Sequence, residues 1–166
     1  MLLINHVLSG ALIGALTRRP LPAFAAGAAS HFVLDTVPHW GKWGRRSFLR
    51  VAVTDGLISL AVAGASVAAS PPDRRLAVLA GMAGAAIPDL DKPAKLWFGR
   101  SPFPPAFDRF HMGIQDEAAN RLYIELLAAA ALAPAALIAL RARRSLSALS
   151  RVAGTAGRPG WPGRRG

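Results

Sequence analysis

The chain has 166 residues, 52 % of them hydrophobic and only 17 % charged, so it is too apolar for general disorder and long enough for one domain with a tail. Its net charge of +11 comes from basic residues between apolar runs and at the carboxyl end. That is the pattern of loops facing anionic lipid, and with no recognition fold beside the arginines a nucleic-acid partner is not expected.

The first expected helix spans residues 2–17, with His6 about one turn inside it. Gly10 and Gly14 stand four apart, as do small residues where helices pack closely in lipid, and they are equally just small residues in an Ala-rich run. Residues 1–5 carry no Lys or Arg, while Arg18-Arg19 follow the apolar run. This polarity is the reverse of a signal peptide, so the helix is expected to stay uncleaved.

The second helix, 21–37, ends in Ser30-His31-Phe32-Val33-Leu34-Asp35-Thr36-Val37-Pro38-His39. His31 and Asp35 are i and i+4, neighbours on one helix face, the geometry by which two side chains share one ion. Taken alone, the pair is also an ordinary hydrogen-bonded helical pair. Pro38 discourages helix beyond Val37, which leaves His39 on a turn from which it can reach back to complete a ligand set. The third helix, 51–70, is interrupted by Asp55, an ionisable residue one turn inside an apolar run and hence a functional candidate.

The fourth helix, 76–87, leads into Ile87-Pro88-Asp89-Leu90-Asp91-Lys92-Pro93. Prolines at both ends predict an extended or turned segment in which Asp89 and Asp91 point the same way, toward a cation. Residues 91–116 read as a long proline-rich connection. At its end His111 and Gln115 repeat the i, i+4 spacing, beside Asp116 and Glu117, which also suit a helix's first turn. The fifth helix, 117–142, carries Glu125 four residues after Arg121, a spacing that predicts a structural ion pair. Residues 1–144 form the expected helical membrane domain, and 145–166 a disordered basic tail.

Run up and down, five such helices place all four histidines and every acid except Asp73 at one end. The fold expected is an all-α, polytopic membrane bundle of about five short helices with this ionisable cluster at one membrane face. Arg18-Arg19, Arg74-Arg75 and Arg141 to Arg144 gather at the other end, which favours that end as cytoplasmic and the cluster as outward, in a bacterial-type plasma membrane. Trp40, Trp43, Trp97, Phe98, Phe103, Phe107 and Phe110 fall in loops at the cluster end, as in an interfacial aromatic belt.

The His in a small-residue first helix, the Ser-His-Phe-Val-Leu-Asp-Thr-Val-Pro-His run and Ile-Pro-Asp-Leu-Asp together resemble the YdjM-like family of membrane-bound metal-dependent hydrolases, over most of residues 1–116. The resemblance implies a metal site of His6, His31, Asp35, Asp89, Asp91 and His111. The family's further His-Arg…His-Ser element is here Asp108-Arg109-Phe110-His111-Met112, with a single histidine. Two function classes follow. One is a hydrolase at the membrane interface, with a divalent ion (zinc or manganese) activating water, Asp55 as general base, and a lipid or small ester as substrate. The other is a membrane protein whose metal is structural or transported.

Overall fold

The computed structural model describes residues 1–41 and 44–156, with side chains up to residue 141 apart from Arg45. Trp43 and residues 157–166 of the expected tail lie outside the described residues. Seven α-helices occur among the described residues: α1 (Leu3–Thr17), α2 (Pro20–Asp35), α3 (Arg45–Ala69), α4 (Arg75–Ala86), α5 (Asp91–Phe98), α6 (Pro105–Gly113) and α7 (Leu122–Ala156). Short 3-10 turns, Pro72–Arg74 and Ile87–Leu90, lead into and out of α4. A two-residue parallel bridge pairs β1 (His39–Trp40) with β2 (Glu117–Ala118), His39 opposite Glu117.

Prolines decide where the helices start as well as where they stop. Pro20 opens α2, Pro93 lies in the first turn of α5 and Pro105 opens α6, positions where a missing N–H costs nothing. The expected five helices are thereby corrected to seven, since α5 and α6 fill the stretch read as a loop. Pro134 lies inside α7 without ending it, and α7 continues to Ala156. α3 begins at Arg45, earlier than expected, so Asp55 sits about three turns in.

α1 and α4 run antiparallel at backbone contact. A Cβ added to Gly10 would lie 2.5 Å from the Gly81 carbonyl oxygen, and one added to Gly14 would lie 2.5 Å from that of Ala77. Gly27 and Gly84 bring α2 equally close to α4, against Gly81 O and Phe24 O. The small-residue spacing is therefore structural, and it makes α1, α2 and α4 a tight three-helix unit. α3 and α7 pack on α1 from outside. The core between them is small and apolar: Val7, Ala11, Ala15, Val78, Met82, Ala136 and Leu140.

Polarity is arranged inside out. Asn5, His6, His31, Asp35, His39, Asp91, His111 and Glu125 are buried, while Leu16, Leu21, Val53, Leu57, Leu60, Leu79, Leu126, Leu127 and Ile138 are exposed. Two segments, Arg46–Ala69 and Leu122–Arg141, are long and apolar enough to cross a membrane, and only 11 % of the apolar window of each is buried. A soluble core helix would bury most of such a window.

Candidate metal centre

The carboxyl end of α2, the turn after α4 and the last turn of α6 meet at one point. His31, Asp35 and His111 there are fully buried. The Nε2 atoms of His31 and His111 lie 3.0 Å apart. Asp35 Oδ2 is 3.2 Å from the first and 3.0 Å from the second. Asp89 Oδ1 is 3.8 and 3.6 Å from the same two nitrogens. All four donor atoms fall within 4.8 Å of one another, among the described residues a group able to hold a metal ion. Donors bound tetrahedrally at about 2.1 Å stand about 3.4 Å apart, so these separations suit one ion without large movement.

The tautomer of His31 is fixed by the backbone. Its Nδ1–H donates to the Ala85 carbonyl at 2.7 Å, which turns Nε2 toward the other donors. His111 is bracketed instead. Asp89 lies on its Nε2 side, while Asp91 Oδ1 stands 3.9 Å from its Nδ1. The expectation that Asp89 and Asp91 point the same way is corrected here. Pro88 sits in a 3-10 turn that runs straight into α5, and in helical backbone i and i+2 face apart.

Lys92 and Gln115 complete the surroundings. Lys92 Nζ holds Asp89 Oδ1 at 2.7 Å, and Gln115 Nε2 donates to Asp35 Oδ2 at 3.1 Å. Burial alone would raise the Asp89 carboxyl. The Lys92 charge, with His6 and His31, instead holds it below its ordinary value, so Asp89 faces the cluster as an anion.

The other sequence candidates lie beside this group or apart from it. His6 stacks on His31 with ring centroids 4.0 Å apart, and its Nε2 is 3.2 Å from the other Asp35 oxygen, which also takes the Met1 amino group at 2.8 Å. Asp91 is engaged by Lys95 at 2.8 Å. His39 does not reach back to α2. Its place in the β1–β2 bridge sets its Nε2 3.7 Å from Glu117 Oε1, and its Nδ1 bonds the Val37 carbonyl. Asp55 caps α1: its oxygens accept from Leu3 N at 2.6 Å and Ile4 N at 3.1 Å, satisfying two orphan amides of that helix. Asp55 thus holds the amino end of α1 and is not one of the four converging donors. Glu125 does not pair with Arg121, because α7 begins after Arg121 and the two do not share a helix face. Glu125 accepts from Leu2 N and Asn5 Nδ2, while Arg121 pairs with Asp116 at 2.7 Å.

Sequence reasoning passed over Lys92 and the Ala85 carbonyl. A lysine one residue from an acidic motif was a readable signal. A backbone acceptor supplied by another helix leaves none. No protein-family model, no curated protein and no solved structure matches the chain.

Proposed function

We propose that the chain is an integral membrane protein, a polytopic helical bundle, whose His31, Asp35, Asp89 and His111 hold one divalent metal ion, and that it acts as a metal-dependent hydrolase at the membrane interface. The observation that carries the metal reading is the convergence of two imidazole nitrogens and two carboxylate oxygens at ion-sharing separations. Two neutral imidazoles and two carboxylates neutralise a divalent ion, and they are the donor chemistry of zinc and manganese. When bound, the ion would supply Lewis acidity and an activated water. The chain's own part is to fix the His31 tautomer through Ala85, to flank His111 with Asp91, and to exclude water behind the buried faces of His6 and His31. This agrees with the resemblance to the YdjM-like hydrolases, except that His6 and Asp91 here support ligands.

The membrane reading rests on the exposed apolar faces of α3 and α7 and the buried ionisable groups. α5 and α6 carry centre residues inward and Trp97, Phe98, Phe110 and Met112 outward, the make-up of interfacial helices beside a headgroup layer. A lipid or small ester at that level is the proposed substrate.

Elemental analysis after mild purification tests the metal reading. About one zinc or manganese per chain is expected, and less than about 0.1, unrestored by added metal, rejects it. One observation favours the structural alternative for zinc: four protein donors saturate a tetrahedral ion, whereas six-coordinate manganese keeps two positions open. Water-proton relaxation by the manganese-loaded protein is expected to show exchanging bound water; its absence would mean that the protein fills the coordination sphere, as a structural site does.

The chain lacks cysteine, so topology is readable by single-cysteine labelling. Exposed Asp73 and Asp116, replaced one at a time by Cys, are expected to react with an impermeant thiol reagent from opposite sides of sealed vesicles. Labelling of both from one side rejects the up-and-down bundle.

A further inference from the structure

Lys92 marks the side from which the centre is reached. Its side chain is 27 % exposed and that of Asp89 13 %, whereas His31, Asp35 and His111 are sealed. The ammonium holds Asp89 Oδ1 at 2.7 Å, and that same oxygen is the one turned toward both imidazoles. Lys92 therefore competes with any metal ion for one carboxylate oxygen.

The charges can be followed through metal binding. A divalent ion on two imidazoles and two carboxylates leaves that set neutral, with its charge drawn away from Asp89. Among the described residues, the ion pair of Lys92 is with Asp89 alone. Asp91 is held by Lys95 at 2.8 Å, Lys95 also takes Asp108 at 3.0 Å, and Glu117 lies with His39. An ammonium is a compact point charge well suited to a phosphoryl oxygen. A neutral carboxylic ester would leave that charge unmatched at the mouth of the centre.

We infer that Lys92 recognises a phosphoryl group brought to the metal, so that the ligand class of this centre is a phosphate ester. The inference rests on the metal reading above. In the metal-free chain Lys92 occupies Asp89; with the ion in place its ammonium turns to the anion.

The test uses full-length protein in phosphatidylcholine vesicles, loaded with manganese or zinc, with inorganic phosphate as probe. Metal affinity is measured by chelator competition and phosphate affinity by calorimetry. Wild type is expected to bind phosphate only when metal-loaded. Lys92→Met is expected to weaken phosphate by at least about tenfold, the worth of one charge-assisted contact, while holding metal as tightly as wild type or more tightly. Lys92→Arg is expected to keep phosphate binding, and Lys95→Met serves as the surface-charge control. Phosphate affinity unchanged within about twofold in Lys92→Met overturns the inference. So does a loss of metal as large as that of Asp89→Asn, since Lys92 would then only orient Asp89. A wild type that holds no metal overturns the metal reading and this inference with it. A wild type that holds metal but no phosphate overturns this inference alone. Vesicles doped with phosphatidic acid separate the sources: displacement of phosphate assigns a lipid headgroup, no displacement assigns a soluble phosphate ester, and both outcomes support phosphoryl recognition.

Discussion

Asp35→Asn is expected to strip the protein of metal and to destabilise it even in the absence of metal. Five groups converge on this carboxylate. Oδ2 faces His31, His111 and Gln115 at 3.2, 3.0 and 3.1 Å. Oδ1 faces the Met1 amino group and His6 at 2.8 and 3.2 Å. An amide of the same shape offers one acceptor oxygen, and whichever way it turns, its NH2 meets groups that also donate. Breaking a buried charged network by removing one partner costs about 3–5 kcal/mol. Loss of a supporting residue around a metal weakens binding by about 10–100-fold, so loss of a ligand is expected to exceed a hundredfold or so.

The same centre predicts non-additivity. His31→Gln and Asp89→Asn are each expected to lower metal affinity, and the second change should cost much less once the first is made. Distant independent sites would add to within about 0.3–0.5 kcal/mol. Asp73→Asn, at the opposite end of the bundle, is the silent control. Thermal stability with and without added metal gives a second readout, since a bound ion stabilises by mass action. Plain additivity with unchanged metal content would show that α2 and the turn after α4 do not share an ion.

What was legible in the sequence was local. His31 and Asp35 share a helix face by spacing alone, and the apolar runs marked α1, α2 and α4 closely. The segregation of ionisable groups to one end was also readable, because it needs only the order of the helices. What was hidden depends on where helices begin. α3 begins six residues before the expected start, and this turned Asp55 from a solitary acid into the cap of α1. α7 begins at Leu122, which took Arg121 off the helix and freed Glu125 to hold Leu2 and Asn5. The stretch with Pro93 and Pro105 has the composition of a loop, because proline breaks most helices, yet each of these prolines sits where a helix tolerates it. The pairing of His31 with His111 spans 80 residues. The β1–β2 bridge that draws His39 away is two residues long, too short for any periodicity.

Gly81→Val is expected to be the most damaging change outside the centre. A side chain on Gly81 would run into the Gly10 carbonyl oxygen in α1, and α2 at Gly27 lies so close to Gly81 O that α4 has little room to back away. Overpacking a site with adaptable neighbours costs about 1–3 kcal/mol; backbone cannot rotate away, so about 3 kcal/mol or more is expected, read as a lowered unfolding midpoint. Gly64→Ala in α3 is the contrast: nothing lies within 4 Å of its added Cβ, and removing a mid-helix glycine is worth about 0.5–1 kcal/mol in the stabilising direction. The two substitutions should therefore move stability in opposite directions. Gly81→Val is also expected to release metal without touching a ligand. Ala85, one turn further along α4, supplies the carbonyl that fixes the His31 tautomer, and the turn that ends α4 carries Asp89. Displacing α4 thus disturbs an imidazole and a carboxylate together, so midpoint and metal content should fall in step. Asp89→Asn, by contrast, should lose metal while its metal-free midpoint falls less than that of Gly81→Val, because the contact of α1, α2 and α4 is left in place. A Gly81→Val protein with wild-type midpoint and metal content would mean that the close approach of α1, α2 and α4 does not hold the centre together.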